Sequence, residues 1–154
     1  HFSPTLSWQP SDLDEDCLKS IDAWAAYFNL KNVKKAIPID TTKDIALSNT
    51  ALDGILCVNM VHISPWESTI GLMDNAERTL NKGGFLMLYG PYKRNGEHTA
   101  PSNIDFEAWL KEKDPRFGVR DMEAVVDEAM KNSLHLDQMI EMPANNFCLI
   151  FKAS

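Results

Sequence analysis

The sequence predicts an α/β protein built on a doubly wound, mostly parallel sheet that closes with an antiparallel hairpin. Three observations predict it. Apolar spacing alternates along the chain between strand-like runs and stripes at the helical period. The run "DGILCVNM" (53–60) has no polar alternation, as in a strand covered on both faces. The chain then finishes with "LHLDQMIEM", a turn at "PANN" and "FCLIFK", two strands joined tightly enough to pair antiparallel. Strands alternating with helices imply a parallel sheet between helical layers, and the hairpin adds one antiparallel strand. A length of 154 residues suits a single domain, 1–154, with a real core.

The elements follow in order. Leu6, Trp8 and Pro10 read as a short strand ending at "PSD". Ser11 and Asp14 have the spacing of a capping box, and Leu18, Ile21, Trp24, Ala25 and Phe28 form a helical stripe ending near Asn29. "AIPID" (36–40) is a short strand closed by an aspartate, and 40–53 reads as a loop with one helical turn. After the strand at 53–60, Ser64, Pro65 and Glu67 combine an N-cap, a proline at the first helical position and a box-closing glutamate. The stripe Trp66, Ile70, Met73, Ala76, Leu80 follows, and Gly83-Gly84 ends that helix and opens the strand "FLMLYGP". A long polar loop, "YKRNGEHTAPSN", precedes helices over 103–113 and 121–132, with Phe106 and Trp109 expected in the core.

Composition narrows the function. The chain is 44% hydrophobic and 24% charged, within the globular range. A formal net charge of -7 argues against a phosphate-backbone binder, which needs a dense basic surface. The Lys34-Lys35 and Lys93-Arg94 pairs are too short to reverse that. No segment approaches the roughly 20 apolar residues of a membrane span. Cys17, Cys57 and Cys148 are dispersed and include no CxxC, so neither a disulfide framework nor a zinc ribbon is expected. That usage fits a reducing, cytoplasmic setting. The chain opens at "HFSPTLSW" without Met.

Several stretches carry a family likeness. The helix closing in Leu80-Asn81-Lys82-Gly83-Gly84 and the terminal hairpin resemble class I S-adenosylmethionine-dependent methyltransferases. "WQPSD" (8–12), "NMVHISPWE" (59–67), "YGPYKRNGEHTAPSN" (89–103) and "MPANNFCLIFK" (142–152) are similar to a subgroup that includes methyltransferase-like protein 26. The resemblance implies a Rossmann-like fold, S-adenosyl-L-methionine as cofactor, and methyl transfer to a small-molecule or protein acceptor. It also implies a first strand, a glycine-rich turn and a first helix that have no counterpart here. About 40 to 60 residues would account for them on ordinary element lengths. The domain is therefore expected to be N-terminally incomplete. Its unpaired strand edges would invite self-association.

In a doubly wound sheet, ligands bind beyond the carboxyl ends of the parallel strands. Asp12 is expected to accept hydrogen bonds from a ribose diol, with Leu13 flanking the adenine; its plain role is helix capping. The resemblance puts Asp40 and Thr41 beside the adenine amino group, where a turn-forming aspartate is the plain reading. Asn59 and Met60 are expected against the cofactor, and His62 is either a structural histidine or part of the same lip. A metal at His62 is not expected, because partners at ligand spacing are lacking. If the acceptor must lose a proton, Tyr89, Tyr92, His62 and His98 are the candidate bases. Asn145 and Asn146 read as turn residues. A nicotinamide-dependent oxidoreductase and a non-catalytic binding relative are the alternatives.

Overall fold

In the computed structural model, which describes residues 5–43 and 51–154, the chain divides into two units, His1–Asp40 and Thr41–Ser154. In the first, β1 (Ser11–Asp12) and β2 (Ile37–Pro38) pair in parallel around α1 (Glu15–Tyr27). Trp8 extends the ladder backwards through a parallel bridge to Val33, so the strand sits slightly later than the 6–10 expected. The helix begins differently too. Asp14, not Ser11, is the N-cap: its carboxylate accepts from the N–H groups of Asp16 (2.8 Å) and Cys17 (2.9 Å). Asp22 then accepts from Ala36 N–H at 2.8 Å and ties the helix to the entry of β2.

The apolar stripe of α1 is not buried. Trp24 (59% exposed), Tyr27 and Phe28 pack on one another instead, with Trp24 and Phe28 stacked at 5.7 Å. A two-stranded ladder offers too little surface to cover a helix face.

The second unit is built on a four-stranded sheet in the order β3-β4-β8-β7: β3 (Leu52–Val58), β4 (Leu80–Gly90), β7 (Leu134–Met142) and β8 (Asn146–Ala153). β3 and β4 are parallel, and β8 runs antiparallel to both its neighbours, as the terminal hairpin predicts. The hairpin turn carries Ala144 and Asn145 at positive φ, where an asparagine costs little. One face of the sheet holds the core. Leu86 and Leu88 of β4 and Leu149 and Phe151 of β8 meet Leu72, Met73 and Ala76 of α2 (Trp66–Thr79). Met122, Val125 and Ala129 of α4 (Met122–Lys131) complete it. Each such large side chain contributes about 1.5–3 kcal/mol.

Several expectations shift here. β3 is covered on one face: Cys57 is buried, while Leu56 and Val58 (58% exposed) are not. A run of apolar residues records high β propensity as well as burial, so it overstated coverage. The capping box at 64–67 does not form. α2 starts at Trp66 with Pro65 as N-cap, and Ser64 donates to Met60 O at 2.6 Å. The turn before the helix has already claimed that hydroxyl. On α2, Ile70 faces out, and Thr69 and Asn75 are inside. β4 starts at Leu80, before Gly83-Gly84.

The long polar loop is also ordered. β5 (Lys93–Arg94) and β6 (Glu97–His98) form a hairpin about Asn95-Gly96, both at positive φ. α3 (Pro101–Lys113) follows; its Trp109 is 50% exposed and stacks on Phe106, so neither forms the expected core. The helical turn expected within 40–53 falls largely at 44–50, outside the described residues.

Candidate functional site

In the first unit an aspartate stands at the carboxyl end of each parallel strand, Asp12 ending β1 and Asp40 two residues beyond β2. Ile39 N–H donates to Asp12 O at 3.2 Å, so Asp40 leaves β2 beside Asp12. Asp12 Oδ1 accepts from Asp14 N–H at 3.0 Å, forming a local turn. With Asp14 serving as cap, the second Asp12 oxygen accepts no hydrogen bond among the described residues. Leu13, 67% exposed, follows it directly.

The carboxyl ends of β3 and β4 build a second cluster, in the other unit. Asn59 takes a positive φ of 58° as the chain leaves β3. Its N–H donates to Tyr89 O at 2.8 Å, and its own carbonyl accepts from His62 N–H at 2.9 Å. This reversal folds Met60 onto the core and turns His62 fully inward. Gly90 makes the fit. A Cβ there would stand 2.5 Å from His62 Nε2 and 3.1 Å from Asn59 Oδ1.

His62 is held as a neutral ring. Its Nδ1 accepts from Arg120 N–H at 3.2 Å, which assigns the proton to Nε2. Burial, and then the Arg120 charge, push its pKa down to about 3. Its ring meets Tyr92 edge-on at 4.8 Å. Tyr92 is fully buried, and burial first of all raises its phenol pKa above the ordinary value. Arg120 closes the knot by donating to Val61 O (2.9 Å) and Ser64 O (2.7 Å) and covering the Trp66 ring.

Glu107 of α3 organises the hairpin. Its carboxylate lies 2.8 Å from Lys93 Nζ and 2.8 Å from His98 Nε2, with the side chain 13% exposed. Burial opposes ionisation, but the Lys93 hydrogen bond and charge, with help from Lys111 and His98, win and lower its pKa. His98 Nδ1 is buried and has no hydrogen-bond partner among the described residues. Asp121 and Glu123 accept from the N–H groups of Gly96 (2.6 Å) and Asn95 (3.0 Å) and fix the hairpin tip. Tyr89 is half-buried on β4, and Thr41 Oγ1 donates to Ser68 O at 2.9 Å.

Sequence reasoning missed Arg120 and Glu107. Their partners lie far along the chain, 59 residues away for Arg120 and Val61 and 14 for Glu107 and Lys93. No local spacing announces such pairs. Among the described residues no group of three His, Cys, Asp or Glu side chains could hold a metal ion.

The chain belongs to the family described as "Protein of unknown function (DUF938)", whose model matches residues 1–153. Solved structures share the fold. An O-methyltransferase family protein from Burkholderia thailandensis superposes with a TM-score of 0.83 at 14% identity, over 98% of this chain and 45% of that one. The pyocyanin biosynthetic protein PhzM gives 0.76 at 12% identity, over 99% of this chain and 44% of that one. LepI in complex with SAM gives 0.75 at 11% identity, over 96% and 36%. The chain thus spans less than half the length of each of these structures. The fold is the Rossmann-like one that these structures share, the O-methyltransferase family protein among them.

Proposed function

We propose, with that family and fold as premise, that the chain serves an S-adenosylmethionine-dependent methyl transfer to a small-molecule or protein acceptor. Within the fold, the four stretches quoted above favour the subgroup that includes methyltransferase-like protein 26. The observation that carries the reading is the pair Asp12 and Asp40 at the ends of parallel β1 and β2. One Asp12 oxygen is committed to Asp14 N–H and the other is left for a ribose hydroxyl. An acceptor set of this kind fits the cofactor's adenosine half: Asp12 and Leu13 for the ribose and base face, Asp40 and Thr41 for the adenine amino group. Asn59 and Met60 suit its amino acid end.

Bound S-adenosylmethionine supplies a sulfonium methyl that an acceptor lone pair displaces in line. The protein's own work is approach geometry and exclusion of water. Where the acceptor must lose a proton, Tyr89, Tyr92, His62 and His98 are the candidates, and His98 is the one whose ring is paired with a carboxylate. Glu107 fixes the orientation of that ring through Nε2. His62 and Tyr92 are enclosed in the core, with the imidazole held neutral and the phenol protonated, which favours a structural role. Tyr89 stays a secondary candidate at the strand end.

Calorimetric titration with S-adenosylhomocysteine and with NADH tests the reading. Binding of S-adenosylhomocysteine with weaker affinity in Asp12→Ala is expected; binding of NADH alone would overturn it. A second reading, cofactor binding without methyl transfer, gains support from a structure of the same fold described as a pericyclic reaction enzyme. Transfer of labelled methyl to any acceptor would exclude it. The edge of β3 that has no partner strand among the described residues also supports self-association. A concentration-independent monomer in light scattering would rule that out.

A further inference from the structure

Two residues of α2 hold the segment that follows Asp40. Gly71 lets the main chain of Thr41 and Thr42 lie directly on the helix. A Cβ at Gly71 would overlap the carbonyl oxygen of Thr41 and stand 3.2 Å from Thr42 Cα. One helical turn on, the Asn75 amide nitrogen reaches Thr41 O and Lys43 O, each at 3.1 Å, and its own helix's Gly71 O at 2.8 Å. Arg78 donates to Asn75 Oδ1 at 3.0 Å, so the orientation of the amide is set from both ends. Thr41 Oγ1 donates to Ser68 O on the same face of the helix.

Asn75 is 3% exposed. A buried amide in a helix interior is costly unless its groups are satisfied. Here its two N–H groups are shared among three carbonyls, two of them outside the helix. An apolar residue would serve α2 packing as well. What needs an amide is the main-chain path of Thr41–Lys43.

We propose that Asn75 is a specificity-determining positioning residue, which together with Gly71 fixes Thr41 so that the site distinguishes a 6-aminopurine from a 6-oxopurine. This rests on the reading above that Asp40 and Thr41 meet the adenine amino group. A purine amino group offers donors where an oxo group offers an acceptor. A fixed main-chain or side-chain acceptor therefore discriminates the two, and a mobile one does not. Asn75 touches no ligand itself. It acts through Thr41.

The test compares the affinities of the full chain for S-adenosylhomocysteine and S-inosylhomocysteine by calorimetry. The native protein is expected to prefer the adenosyl compound by roughly tenfold or more, the value of one lost hydrogen bond with its partner stranded. Asn75→Ala should bring the ratio to within about threefold. Thr41→Val, isosteric and lacking the bond to Ser68, should lower it as well and serves if Asn75→Ala does not fold. A folded Asn75→Ala or Thr41→Val protein that keeps the native ratio overturns the proposal. A native protein that binds both compounds equally overturns instead the adenine reading on which it rests. Loss of thermal stability with an unchanged ratio would mark Asn75 as structural and likewise overturn it.

Discussion

The imidazole of His62 occupies the space that any side chain on Gly90 would need, with the would-be Cβ 2.5 Å from Nε2. His62 is fully buried and bonded to Arg120 N–H, so it cannot swing aside. Gly90→Ala is therefore expected to cost roughly 1–3 kcal/mol as an overpacked core site. Denaturant unfolding would measure it, and an unchanged midpoint would contradict the packing described.

The same ring makes stability depend on pH in a defined direction. The folded pKa of His62, about 3, lies below the ordinary 6.5, so between those values the unfolded chain binds the extra proton. Stability from this group is full above about pH 6.5 and falls as pH drops toward 3. At pH 5 the loss is about 2 kcal/mol relative to pH 7. Unfolding at both pH values should show it, and His62→Gln should flatten the difference. Equal pH dependence in the variant would reject the assignment.

Glu107 anchors both hairpin strands to α3. Its replacement by Gln breaks the ion pair with Lys93 and strands a largely buried ammonium, with an expected cost of about 1–3 kcal/mol. A double-mutant cycle with His98→Ala should return a coupling of about 0.5 kcal/mol or more. Additive effects would mean that the 2.8 Å contact between His98 and Glu107 carries no energy.

The thiols should separate by burial. Cys57, buried and pushed up to about 12 by loss of solvent, and Cys148, also buried, are expected to resist an aromatic disulfide reagent in the folded protein. Cys17 is exposed and should react slowly, since the nearby Asp12 charge, above all, raises its pKa. One thiol should titrate before unfolding and three after it. Three reactive thiols in the native state would contradict the core assignment.

Much of the fold was legible because its signals are local. The unbroken apolar run at 53–60 marked β3, and the two apolar segments around "PANN" marked the hairpin. The places of Asp12 and Asp40 at the ends of short strands were legible for the same reason. Caps were less legible. Ser64 had the right spacing and lost to the competing carbonyl of Met60, and Ser11 lost to Asp14. Several groups of similar chemistry stood within one turn of each helix start, and residue type alone does not rank them.

The sequence by itself determined the alternation of elements, the order of the strand ends and the residue types placed there. Tertiary structure decided which of them remain available. Burial beside Arg120 encloses the His62 ring and holds it neutral. The approach of α3 to the hairpin gave His98 a carboxylate partner. The face of α2 made Asn75 the holder of Thr41. Each outcome depends on desolvation and on hydrogen bonds between groups distant in sequence, and these energies exist only once the chain has packed.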